Sequence, residues 1–135
     1  VSFIISQNNH QERIKKNIRT LTETYGKPLE KGFYTFPQPH DFGDEEELRE
    51  LGLGYRARYI ANLKNIDVVK LDSLRYLSYE QAKTHLCMIN GIGPKVADCI
   101  LLFSLGFDEA CPEDTWIKKI FKKTISINSR EHLRY

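Results

Sequence analysis

Apolar residues return every three or four positions through most of this chain, and no stretch alternates apolar with polar residues long enough to build a sheet face. A helix must bury such a stripe against another helix, so the chain is read as an all-α domain. Ile14, Ile18, Leu21 and Tyr25 share one face of a helix that Gly26 stops. Residues 1–5 read as the end of a preceding apolar helix, with Gln7, Asn8, Asn9 and His10 as the polar corner between the two. Pro28, Gly32, Pro37, Pro39 and Gly43 make residues 26–43 a loop. Asp44 and Glu47 then have the spacing of a capping box ahead of Leu48 and Leu51, for a helix of about two turns. Gly52-Leu53-Gly54 breaks the pattern, which resumes over 56–63 through Tyr59, Ile60 and Leu63. Val68, Leu71 and Leu74 mark another short helix, and Ser78 with Gln81 caps one that carries Ala82, Leu86 and Ile89. The stretch from Asn128 carries the weakest helical pattern in the chain.

The length of 135 residues suits one compact domain spanning 1–135, with a helical hairpin at about 80–105. The chain starts at Val1, inside an apolar segment, and is expected to be part of a longer protein. The longest apolar runs, at 1–5 and 100–103, are far too short for a bilayer-spanning helix or a signal-peptide core, so no membrane partner is expected. Cys87, Cys99 and Cys111 are odd in number and lack CxxC spacing, which argues against a disulfide framework and a closed zinc site and for an intracellular setting. The net charge of +2 is too small to imply nucleic acid by itself. Its distribution is uneven: residues 37–51 hold one Arg against six acids, and 115–135 hold six Lys and Arg against one acid.

Asn90-Gly91-Ile92-Gly93-Pro94-Lys95 lies between two amphipathic helices, with Pro94 suited to the first turn of the second. Such a turn bares backbone N–H groups at a helix start, a geometry that binds phosphate without side-chain charge. In that first turn the positive end of the helix dipole disfavours the ammonium of Lys95, as a lysine nucleophile requires. The plainer alternative is a surface lysine that binds phosphate or pairs with Asp98 three residues on. A helix over 94–105 rises roughly 16 to 18 Å, and residues 106–113 can reach back about 26 to 29 Å. Asp114 can therefore lie beside Lys95, and it also has the position of an N-cap for a last helix bearing Trp116, Ile117 and Ile120.

Gly91 to Ile100, reading Gly-Ile-Gly-Pro-Lys-Val-Ala-Asp-Cys-Ile, followed by Pro112-Glu113-Asp114, resembles the helix-hairpin-helix, lysine and downstream aspartate of the DNA N-glycosylase superfamily. Leu51-Gly52-Leu53-Gly54-Tyr55-Arg56-Ala57-Arg58-Tyr59 and Ser2-Phe3-Ile4-Ile5-Ser6-Gln7-Asn8-Asn9 are similar, more narrowly, to the 8-oxoguanine DNA glycosylase/AP lyases. The resemblance implies a helix-hairpin-helix glycosylase fold and removal of 8-oxoguanine opposite cytosine from damaged double-stranded DNA. By it, Lys95 attacks the deoxyribose anomeric carbon and forms a Schiff base. Asp114 stabilises the developing positive charge, and Cys99, one turn after Lys95, contacts the everted base. Asn8, Arg13 and Arg56 occupy the orphaned cytosine, and Tyr55 wedges the gap. Gly91, Gly93, Lys95 and Val96 present N–H groups to a phosphate. Carbonyls of Cys87, Ile89 and Ile92 are implied to hold a structural monovalent or divalent cation, while catalysis needs no cofactor. A monomer is implied, in the cytoplasm or nucleoid if the source is prokaryotic.

Two positions depart from the family pattern. Asn90 stands where Pro commonly precedes the first hairpin glycine, and Trp116 replaces a phosphate-binding His of the eukaryotic form with an indole that donates but cannot become charged. The cysteine spacing of an iron–sulfur cluster is absent, and the family's N-terminal domain and later C-terminal helices have no counterpart in this sequence. Two alternatives stay open: a glycosylase for another damaged base, and a hairpin module that only anchors on duplex DNA.

Overall fold

The computed structural model describes residues 1–121. The expectation about the segment from Asn128, and most of the basic stretch at 115–135, lie outside the described residues. Within them the architecture is all-α. The helices are α1 (Ser2–Ser6), α2 (Gln11–Tyr25), α3 (Glu45–Leu48), α4 (Arg56–Asn62), α5 (Val68–Ser73), α6 (Tyr79–Cys87), α7 (Pro94–Ile100) and α8, over 115–121. The only bridge between extended segments among the described residues is a single antiparallel pair, Pro28 with Tyr34, inside the loop expected at 26–43.

Helix α1 has five residues, too few to be stable alone. It forms because it is the hub: Ile4 and Ile5 are buried, and α2, α4 and α7 all pack against it. The stripe expected on α2 buries Leu21 and half-buries Ile14 and Ile18, and His10 caps the helix through Nδ1. The loop at 26–43 is less bare than expected, with single 3₁₀ turns at Glu30–Gly32 and Pro39–Asp41. Its anchor is Phe42, fully buried and edge-on to Tyr25 at 5.9 Å between ring centres; burial of such a ring stabilises by about 1.5–3 kcal/mol.

The expected capping boxes both form: Asp44 Oδ1 accepts from the N–H groups of Glu46 and Glu47, and Ser78 Oγ accepts from that of Gln81. Helix α3 runs on into a wide turn, Arg49–Leu53, and ends on Gly52 at φ +85°, a left-handed conformation that favours glycine. Helix α7 likewise widens over Leu101–Leu105. The return from there is pinned by buried Phe107 and Ala110, with the Phe107 N–H donating to the Leu101 carbonyl at 3.0 Å. No helix among the described residues is long and apolar enough to cross a membrane.

Candidate active site

Helices α6 and α7 are joined by the tight corner expected from the two glycines. The Ile92 N–H donates to the Ile89 carbonyl at 3.0 Å, and Gly91 turns the chain at φ +92°. A Cβ on Gly91 would meet the Tyr59 ring at 2.4 Å, so close approach as well as backbone angle requires glycine. Gly93 precedes Pro94 at the first position of α7. The main-chain N–H groups of Gly91, Gly93, Lys95 and Val96 have no partner among the described residues. They leave a set of donors with the character of an anion site.

Lys95 is exposed, and no carboxylate among the described residues pairs with it. The pairing with Asp98 that sequence left open does not occur, because Asp98 points the other way and is buried. Tyr79 Oη donates to its Oδ1 at 2.7 Å, Lys83 Nζ donates to its Oδ2 at 3.0 Å, and Lys83 Nζ also donates to Tyr79 Oη at 2.7 Å. Hydrogen bonding to Tyr79 and then to Asp98 outweighs desolvation and holds the Lys83 ammonium well above its ordinary pKa. This cluster ties α6 to α7 and leaves Lys95 uncommitted. Lys95 faces an open cavity of ≈ 330 Å³ bordered by Gln7, Asn8, Tyr55, Gly93, Pro94 and Val96.

Cys99 is buried one turn after Lys95. Burial pushes its thiol pKa up, Lys95 opposes that, and Asp98 and Asp114 add to it. Lys95 and Asp114 thus both lie close enough to Cys99 for their charges to act on its thiol. Asp114 caps α8, its Oδ1 accepting from the N–H groups of Trp116 at 2.9 Å and Ile117 at 2.8 Å. Its Oδ2 has no partner among the described residues.

The polar corner after α1 closes the other side of the cavity. Asn8 sits there at φ +45°. Arg56 is 4% exposed, with its guanidinium turned inward. Its Nε donates to the Gln7 carbonyl at 3.0 Å, its Nη2 donates to the same carbonyl and to the Asn8 carbonyl at 2.8 Å, and its Nη1 has no partner among the described residues. Tyr55 is 47% exposed, edge-on to Tyr59, with the Arg56 guanidinium 4.6 Å from its ring centre. Arg13 is exposed, and among the described residues its guanidinium donates only to the Gly52 carbonyl, at 3.3 Å. Trp116 is exposed beneath the Lys119 ammonium at 4.9 Å.

The carbonyls of Cys87, Ile89 and Ile92, which the family resemblance assigns to a cation, would offer it neutral oxygens only. The Ile89 carbonyl already accepts the Ile92 N–H and keeps one lone pair. Without a carboxylate, that chemistry fits a hard cation of low charge. No group of three or more His, Cys, Asp or Glu among the described residues could hold a metal ion.

Sequence reasoning missed Lys83, Tyr79 and Gln7. An acid set among Val96, Ala97, Cys99 and Ile100 was the signal for a buried partner of Asp98, whereas nothing local marks Gln7.

A family model described as the HhH-GPD superfamily base excision DNA repair protein matches residues 1–134. The chain is 33% identical over 156 residues to the N-glycosylase/DNA lyase of Saccharomyces cerevisiae, covering 99% of this chain and 41% of the yeast protein. It is similar to the structure of MBOgg1 in complex with a low-affinity DNA ligand, at TM-score 0.82 and 40% identity over 91% of this chain and 45% of that one. It is also similar to the Clostridium acetobutylicum 8-oxoguanine glycosylase/lyase in complex with double-stranded DNA containing cytosine opposite 8-oxoG, at TM-score 0.78 and 40% identity over 87% of this chain and 43% of that one. The chain thus spans less than half the length of these relatives. With the hairpin, its unpaired N–H groups and its free lysine, this chain belongs to the HhH-GPD superfamily of base excision DNA repair proteins.

Proposed function

We propose that the protein is an N-glycosylase and AP lyase that removes 8-oxoguanine opposite cytosine from duplex DNA inside the cell, acting as a monomer and without a cofactor in catalysis. The observation that carries this reading is the unpaired Lys95 amine on an open cavity beside the bare N–H groups of the hairpin.

Duplex DNA lays a phosphate on the N–H groups of Gly91, Gly93, Lys95 and Val96, with the Trp116 indole N–H as a further donor. The damaged nucleotide leaves the stack, and Tyr55 fills the gap. Lys95 Nζ forms a bond to the anomeric carbon through its lone pair as the bond to the base breaks, and the base leaves with the electron pair and takes up the proton that the new ammonium releases. Asp114 stabilises the positive charge that develops on the sugar. Ring opening gives the protonated imine, which makes the C2′ proton acidic; its removal expels the 3′ phosphate and cleaves the strand. Cys99 packs on the everted base. Asn8, Arg13 and the Nη1 of Arg56 offer donors to cytosine, whose N3 and O2 accept once its partner has gone. The carbonyls of Cys87, Ile89 and Ile92 would hold a structural cation, whose charge would stiffen the hairpin under the phosphate.

Borohydride reduces a Schiff base to a stable crosslink, so the protein incubated with an 8-oxoguanine duplex should be trapped covalently. Binding without trapping would favour a hairpin module that only anchors on DNA.

A further inference from the structure

The cavity that Lys95 faces has two walls: the hairpin on one side and the 7–8 corner with the start of α4 on the other. Among the described residues one side-chain hydrogen bond spans them. Gln7 Nε2 donates to the Gly91 carbonyl at 2.7 Å, across 84 positions of sequence. The main-chain carbonyl of the same residue is the shared acceptor of Arg56 Nε, Arg56 Nη2 and, at 3.4 Å, Tyr55 Oη. Arg56 Nη2 reaches on to the Asn8 carbonyl and so clamps Asn8 in its left-handed conformation.

We infer that Gln7 is a positioning residue that sets the register between Lys95 and the surface that reads the opposite base, which rests on the function proposed above. Tyr55 and Arg56 on that surface bond to the Gln7 carbonyl and Arg56 bonds on to Asn8, and among the described residues the Gln7 amide makes the side-chain hydrogen bond that joins this corner to the hairpin. The hairpin has its own supports in the Tyr79–Lys83–Asp98 cluster and in the fit of Gly91 against Tyr59. Removing the amide should therefore shift Asn8, Tyr55 and Arg56 while leaving Lys95 in place. Sub-ångström placement matters to a base-edge contact and not to attack on a sugar that lacks an opposite base.

The test uses Gln7→Met, which keeps length and volume but has no donor, and Gln7→Lys, which puts a donor back. Single-turnover excision is measured with cytosine and with adenine opposite the lesion. Borohydride trapping is measured on a single-stranded abasic site, and the unfolding temperature of each variant alongside. Gln7→Met should slow excision opposite cytosine about tenfold, the size of one lost hydrogen bond, narrow the cytosine-to-adenine ratio and leave single-strand trapping at the wild-type rate. Gln7→Lys should recover most of the ratio. A fall by one common factor in all three reactions, with a lower unfolding temperature, would overturn the positioning role and leave Gln7 a structural residue. A wild-type protein that neither excises nor traps would instead overturn the functional reading, and this role with it.

Discussion

Replacing Asp98 by Asn keeps the shape of the side chain but removes the charge that both Lys83 and Tyr79 address. Breaking one partner of a fully buried ion pair costs about 3–5 kcal/mol, and a hydrogen bond to a charged group contributes about 1.5–3 kcal/mol. The Asp98 side chain is 7% exposed but that of Lys83 is 26% exposed, so the ammonium can regain some hydration. The cost therefore falls at about 2–3 kcal/mol, or a drop of about 7–10 °C in unfolding temperature for a chain of this size. The pH dependence follows from Lys83, whose pKa is raised in the folded state by its bonds to Tyr79 and Asp98. A raised base contributes its full stability below the ordinary lysine pKa and loses it as pH climbs through the raised value. Scanning calorimetry of wild type and Asp98→Asn should thus give a difference that is flat through neutral pH and shrinks in alkali. A difference under about 2 °C, or one that grows with alkali, would refute the claim that this cluster fastens α6 to α7.

Gly91→Ala combines a positive φ with a Cβ driven into the Tyr59 ring. It should destabilise by at least about 2 kcal/mol in chemical denaturation and weaken DNA binding in parallel; a stability change under half of that would mean the hairpin yields. Asp114→Asn keeps a good N-cap and should leave the unfolding temperature unchanged while single-turnover base release slows strongly, whereas Asp114→Ala should lose about 1 kcal/mol of stability as well. Arg13 gives up only one exposed hydrogen bond to the Gly52 carbonyl. Arg13→Ala should therefore spare stability yet lower excision opposite cytosine more than opposite adenine, by about 1–3 kcal/mol; an unchanged ratio would remove Arg13 from base reading.

What could be read from sequence was local. The Asp44–Glu47 and Ser78–Gln81 boxes depend on residues three apart, so spacing alone fixes them. The Gly91–Lys95 turn and the N-cap role of Asp114 are local too, and the reach of residues 106–113 follows from chain geometry. Partners far apart in sequence were not legible. Asp98 could equally have served Lys95, three residues away on its own helix, and only the packing of α6 on α7 gives it to Lys83 and Tyr79. The inward turn of Arg56 was hidden for the same reason. Carbonyls 48 and 49 positions away claim its guanidinium, while Tyr55 beside it stays exposed. Phe42 gave no periodic signal, because one anchor in a proline-rich loop has no period.

The central claim is that the Lys95 amine is the nucleophile. Trapping the wild-type protein on an 8-oxoguanine duplex with borohydride, digesting the crosslink and sequencing it by mass spectrometry identifies the attacking residue directly. The deoxyribose remnant should sit on Lys95, and Lys95→Gln should abolish trapping while DNA binding persists. A remnant on any other lysine, Lys83 or Lys118 for example, or undiminished trapping in Lys95→Gln, would contradict it.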